Sequence, residues 1–300
     1  MYRVGNLGVP SRDSSAHLIR AFEAGLRDQG WTVGQNIVVE HRFADNHLDR
    51  LPGLAEELVR LNVDVIVTST APTIAAAKNA TRTIPIVMIL ADDPLGSGLV
   101  ANLARPGGNV TGLAVNAGPG LVGKQLEMLK AAVPRLRRVA VLVNPAREHT
   151  PNTLREVEGA TQALGLQRQI LEAREARELD AAFATLKASR PDALFAVRDA
   201  LFFQHRARLA DLAVKGRLPT MWALQEHAEA GGLMAYSADL RDLARRGATY
   251  VDKILKGAKP GDLPIEQPTK FDLVVNLKTA RALGVSIAPS LLQRADKVIE

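Results

Sequence analysis

Apolar positions along this chain follow two alternating rhythms. Short β-branched runs at 4–9, 36–42, 63–68 and 85–90 read as strands. Between them, apolar residues recur three or four apart, the spacing of a helix with one buried face. Leu18, Phe22 and Leu26 mark the first such helix, which Ser14 or Ser15 caps and Gly30 ends; 49–61 and 72–81 supply the next two. Strand and helix in turn predict a parallel sheet covered by helices.

The same grammar starts again after a strand at 109–115. Val122, Leu126, Leu129 and Val133 share one helix face, and strands follow at 139–144, 167–171, 193–197 and 219–223. Helices at 153–164, 179–188 and 201–215 separate them. Two series in 300 residues predict two lobes, each large enough for its own core. Pro and Gly at 105–108 and 116–120 bracket the join. A strand at 233–237, a helix at 240–255, the proline-rich stretch 260–268 and a strand at 271–276 read as two further returns. The expected fold is therefore α/β: two Rossmann-like lobes with parallel sheets, joined by three hinge crossings near 113–118, 233–238 and 264–271. The first lobe takes 1–114 plus 238–265, and the second takes 115–237 plus 266–300. Such lobes can close by hinge rotation on a ligand at the carboxyl ends of their strands.

Composition narrows the chemistry. There are no cysteines, which excludes disulfides, thiolate catalysis and cysteine-ligated metals, and suits an oxidising compartment. The net charge of +6 is spread as alternating Lys, Arg, Asp and Glu rather than gathered into a basic block, so nucleic acid is not an expected partner. No apolar run is long enough for a membrane span. The first strand begins at Val4, leaving no room for an export signal; the chain reads as cytoplasmic or as a trimmed mature form.

Catalytic patterns are missing from the sequence. His17, His41, His47, His149, His205 and His227 include no i, i+4 pair for a metal. Gly5-Asn6-Leu7-Gly8 lacks the third glycine of a dinucleotide fingerprint, and neither a G-x-S-x-G elbow nor a Walker sequence occurs. No cofactor, metal or catalytic residue is expected. What recurs at the predicted strand ends is small and polar. Ser11 and Ser14 follow the first strand, Ser69 and Thr70 the third, and Asp92 and Asp93 the fourth. Asn144, Arg198, Asp199 and Trp222 take the matching places in the second series, and Tyr236 lies on a crossing strand. Hydroxyls and amides at helix starts suit a carboxylate, a carboxylate side chain suits an ammonium, and Trp or Tyr offers an apolar wall. Each also has a plainer use: the hydroxyls as helix caps, Asp93 as a turn residue before Pro94, and Trp222 as core.

Several segments carry a family likeness. Asp49-Arg50-Leu51-Pro52, Asp93-Pro94-Leu95-Gly96-Ser97-Gly98, Leu103-Ala104-Arg105-Pro106-Gly107-Gly108-Asn109-Val110-Thr111-Gly112, Gly231-Gly232-Leu233-Met234 and Tyr250-Val251-Asp252-Lys253 resemble the ABC transporter substrate-binding family associated with tryptophan and tyrosine uptake. The resemblance implies a type I periplasmic binding fold, a periplasmic location behind an export signal or lipid anchor, and delivery of ligand to a membrane permease. It departs at Thr68-Ser69-Thr70, which replaces a more glycine-rich turn, and at Arg198-Asp199-Ala200, where an Asp-Pro pair is frequent. The expected function is capture of an amino acid or an aromatic or carboxylate compound for an ABC importer by a monomeric, non-enzymatic receptor. Ser11, Ser69, Thr70 and Asp93 hold the polar head, and Asn144, Arg198, Asp199, Trp222 and Tyr236 complete the site. The alternatives are a ligand-sensing regulatory module of the same fold and, third, a small-molecule enzyme.

Overall fold

The computed structural model describes residues 1–116, 120–147 and 150–300. The chain divides into two compact units, Met1–Ala117 with Ala238–Thr269, and Gly118–Ser237 with Lys270–Glu300.

The first unit opens with β1 (Tyr2–Gly8), α1 (Ala16–Asp28), β2 (Ile37–Phe43), α2 (Leu51–Arg60), β3 (Val65–Thr68), α3 (Ala71–Ala80), β4 (Ile86–Ala91) and β5 (Val110–Ala114). Its five strands lie in the order β2-β1-β3-β4-β5, all parallel. β3 and β4 are buried at every position, as strands covered by helices on both faces must be.

The second unit holds α4 (Leu121–Ala132), β6 (Arg138–Val143), α5 (Thr150–Ala163), β7 (Gln167–Glu172), α6 (Glu178–Ser189) and β8 (Ala193–Ala196). It continues with α7 (Ala200–Gln204), α8 (Arg206–Lys215), β9 (Thr220–Trp222), α9 (Gln225–Glu229) and β10 (Met234–Ser237). The chain then supplies α10 (Leu240–Leu255) to the first unit before β11 (Asp272–Asn276), α11 (Leu277–Leu283), α12 (Pro289–Leu292) and β12 (Lys297–Ile299) complete the second. The seven strands run β12-β11-β10-β9-β8-β6-β7.

α10 is why the first unit needs the chain to return. Asp239 caps it, its carboxylate accepting the amides of Arg241 at 2.8 Å and Asp242 at 3.4 Å. Its buried face carries Leu243, Ala244, Gly247, Ala248, Val251 and Ile254. Gly25 lets α1 approach it closely, since a Cβ there would lie 2.2 Å from the Arg245 carbonyl oxygen. Trp31 then ties the α1 exit to α10 by donating its indole N–H to Asp252 at 2.9 Å.

Three features depart from the sequence reading. β10 and β11 pair antiparallel, so the second sheet is mixed rather than wholly parallel. The helix expected over 201–215 breaks at His205 into α7 and α8. α9 and β12 were not expected at all. The unit boundaries also fall later than 114 and 265. Val115 still donates to Ala91 at 2.8 Å, and Ala114 N–H and Glu266 N–H join β5 to the stretch before β11 at 2.8 and 3.0 Å. Those ladder bonds hold both segments in the first unit.

Candidate ligand site at the strand ends

In a parallel sheet the loops after the strands gather on one edge, and a crevice opens where successive strands are laid down on opposite sides of the first. In the first unit that switch falls between β1 and β3, because β2 lies on the other side of β1. The loop after β1, carrying Ser11 and Ser14, and the loop after β3, carrying Ser69 and Thr70, leave from the ends of these two paired strands. The two serines bond to each other: Ser11 Oγ donates to Ser14 Oγ at 3.0 Å, and Ser14 Oγ donates to the Ser11 carbonyl at 2.9 Å. Ser15 occupies the cap position of α1 without a side-chain capping bond. Ahead of α3, Thr73 Oγ1 accepts the Ser69 and Thr70 amides at 3.3 and 3.0 Å and donates to the Thr70 carbonyl at 2.8 Å. Thr68, the last residue of β3, is 1% exposed, and its hydroxyl has no partner among the described residues.

Asp93 stands apart at the end of β4. It is exposed, and its Oδ1 accepts the Gly96 amide at 2.8 Å while its carbonyl takes the Ser97 amide at 3.1 Å. This is the turn role that a residue before proline often plays. Gly96 is needed for it, as a Cβ there would come within 2.0 Å of the Asp93 carboxylate. On the far side of β1, Asn6 Nδ2 lies 3.0 Å from His41 Nδ1. Burial lowers the His41 pKa, the Arg12 cation lowers it further, and Glu40 opposes them.

The second unit has its switch between β6 and β8, with β7 on the other side of β6. A buried polar network fills the strand ends there. Arg147 Nε donates to Asp199 Oδ2 at 2.6 Å, with side-chain exposures of 8% and 2%. Asp199 also caps α7: Oδ1 accepts the Leu201 amide at 2.8 Å and Asn144 Nδ2 at 3.3 Å. Asn144 is held in turn, since its Oδ1 accepts Ala146 N–H at 3.0 Å and its carbonyl accepts the Thr150 hydroxyl at 2.6 Å.

Asn144 and Asp199 therefore meet, but Asp199 is not an open partner for an ammonium. Its charge is met by Arg147, a residue the sequence reading passed over although it lies three positions beyond Asn144 in the same strand-end loop. Arg198 is half-buried beside Asp199.

Trp222 must be corrected from wall to core. It is fully buried, donates to Thr220 Oγ1 at 2.7 Å, and stacks on His227 with ring centroids 4.7 Å apart. Gly232 makes that packing possible, because a Cβ there would fall 2.2 Å from the indole nitrogen. Tyr236 is half-buried, 5.8 Å from the Phe271 ring, and its carbonyl accepts Gln125 Nε2 at 2.7 Å. Gln225, Glu226 and His227 on α9 form a buried polar group missed in the sequence, since five residues are too few for a periodic signal. Among the described residues no three histidines or acids gather to hold a metal ion, and no helix is long and apolar enough to cross a membrane.

Comparison with known proteins gives one consistent picture. The family model for ABC transporter substrate binding proteins matches residues 7–299. A curated tyrosine-binding protein of Clostridioides difficile is 24% identical over 286 residues, covering 93% of this chain and 81% of that protein. A conserved domain protein of Vibrio cholerae superposes with a TM-score of 0.91 at 26% identity, covering 99% of both chains. The ABC domain of Streptococcus pneumonia in complex with L-Trp superposes at 0.90 with 25% identity and the same coverage.

Proposed function

Because the chain belongs to the ABC transporter substrate binding protein family, we propose that it captures an aromatic amino acid or a related aromatic acid in the periplasm and delivers it to the permease of an ABC importer. The observation that carries this reading is the chemistry at the two switch points. Short hydroxyl side chains and helix-start amides stand at one, and a buried Arg-Asp-Asn network stands at the other. Hydroxyls and a guanidinium recognise a carboxylate without transforming it. The tyrosine-binding and L-Trp-bound relatives support an aromatic ligand.

In this reading Ser11, Ser69, Thr70 and Asp93 of the first unit contact the ligand's polar head. Asn144, Arg198 and Tyr236 are the candidate ligand residues of the second, and Asp199 acts by fixing its neighbours. The protein works as a monomer and without a cofactor.

Isothermal titration with L-tyrosine, L-tryptophan, 4-hydroxyphenylpropionate and benzoate tests the reading. Saturable binding of at least one, recovered unchanged after dialysis, is the expected result. No heat with any of them removes the aromatic ligand, and chemical conversion of the bound compound removes the transport role.

A further inference from the structure

The Arg147–Asp199 pair has an arrangement that stability alone does not account for. A buried ion pair contributes little net stability, because desolvating both charges offsets their attraction. This pair nevertheless sits at the β6/β8 switch, where a parallel sheet offers its binding crevice. The two partners are also used unequally. Asp199 engages both oxygens: Oδ2 takes Arg147, and Oδ1 takes both the Leu201 amide and Asn144. Among the described residues Arg147 gives only Nε to Asp199. A guanidinium has five N–H groups, and the four on its η nitrogens form the flat edge that matches a carboxylate.

We propose that Arg147 is the carboxylate-recognising residue of the ligand site, and that Asp199 with Asn144 positions it. The inference rests on the small-molecule binding reading above and deepens it, because it assigns the ligand a free carboxylate and rules against amides and amines that lack one.

The holding geometry explains why an arginine can serve here at little entropic cost. The Nε bond fixes the plane of the guanidinium, and the α7 cap and Asn144 fix the carboxylate that it leans on. A lysine would supply charge without a second directed donor. Charge-assisted, bidentate hydrogen bonds are the strong ones, so losing them costs about 10- to 100-fold in affinity.

The test compares acids with their own amides: L-tyrosine with L-tyrosinamide and L-tryptophan with L-tryptophanamide, titrated calorimetrically into the wild-type protein, Arg147→Gln and Arg147→Lys. Wild type should prefer the acid by about 10-fold or more. Arg147→Gln should bind acid and amide alike, and Arg147→Lys should fall between the two. Equal wild-type affinity for acid and amide would overturn the assignment, as would an undiminished acid preference in Arg147→Gln. A fall in melting temperature with the preference intact would make the pair structural only. If wild type binds neither acids nor amides, the aromatic-ligand reading itself fails and takes this inference with it. The wild-type comparison needs no variant to fold, and Arg147→Lys keeps the charge beside Asp199 if the neutral variant does not.

Discussion

His227 should make this protein acid-sensitive, by an amount that follows from its burial. The ring is wholly enclosed and stacked on Trp222. Loss of hydration, reinforced by the Arg206 cation, holds its pKa down to about 3, and the nearby backbone of Phe202 and Leu224 offsets only part of this. In the unfolded chain the same ring titrates at its ordinary value of 6.5. Above that value both states are neutral and His227 adds no pH dependence. As pH falls below it, the unfolded chain takes up a proton that the folded chain refuses, so stability is lost progressively until the folded ring itself titrates. At 1.36 kcal/mol per unit, the loss is about 2 kcal/mol at pH ~5 and approaches about 5 kcal/mol near pH ~3. The clean comparison is His227→Phe, which keeps a flat ring against Trp222 and carries no titrating group. Urea unfolding followed by far-UV circular dichroism at pH ~8 and ~5 gives the drop in stability for each protein, and contributions from the shared carboxylates cancel between them. The drop should be about 2 kcal/mol smaller in the variant. Equal drops in the two proteins would show that His227 is protonated or hydrated in the folded state, and the reasoning would fail.

Trp222→Ala should cost about 3–5 kcal/mol, the usual penalty for emptying a core tryptophan site, and Trp222→Phe clearly less with ligand affinity unchanged. Chemical denaturation and calorimetry on the Phe variant check this, and lost affinity at unaltered stability would return Trp222 to the binding site. Gly112→Ala should lower the melting temperature sharply, since the residue has φ +130° and a Cβ would sit 1.9 Å from the Met88 carbonyl oxygen. An unchanged thermal transition would contradict that geometry. Asp93→Ala should leave the fold intact, as Asp93 is exposed, yet weaken L-tyrosine about 10-fold while sparing 4-hydroxyphenylpropionate, which lacks the ammonium. Equal titrations of both compounds into variant and wild type would confine Asp93 to its turn.

The parts of the fold legible in the sequence were those written in local pattern. β3, β4 and β8 are buried at every position because both faces of a parallel sheet are covered, and α1 and α10 carry their buried faces at helical spacing. Direction is not written that way. A strand's alternation is the same whichever way it runs, so the antiparallel β10–β11 pair could not be told from a parallel one. α9 and β12 are too short to show a period. Trp222 shows the limit for aromatics: a residue near a strand's end can turn toward a loop or toward the core, and only its partners Thr220, His227 and Gly232 decide.

The site was half legible for a related reason. Choosing polar residues just past strand ends picks out Ser11, Ser69, Thr70, Asn144 and Asp199 as candidates, because sheet topology alone brings those loops to one edge of each unit. The same rule cannot say what each polar group is already doing. Arg147 and Asp199 are 52 residues apart in sequence and 2.6 Å apart in space, a pairing that no local pattern announces. A lone aspartate would have offered a negative site to an ammonium. Paired with Arg147, it instead holds a guanidinium whose η N–H groups are, in the proposal above, the donors for an acid. The first unit offers at its switch the hydroxyls of Ser11, Ser14, Thr70 and Thr73, bonded within each pair, and a hydroxyl can turn its proton toward an incoming oxygen. In this proposal recognition of the acid group falls to the second unit's β6/β8 edge, where Arg147→Gln should abolish the preference for acids over their amides and, by leaving Asp199 buried without its partner, also lower stability.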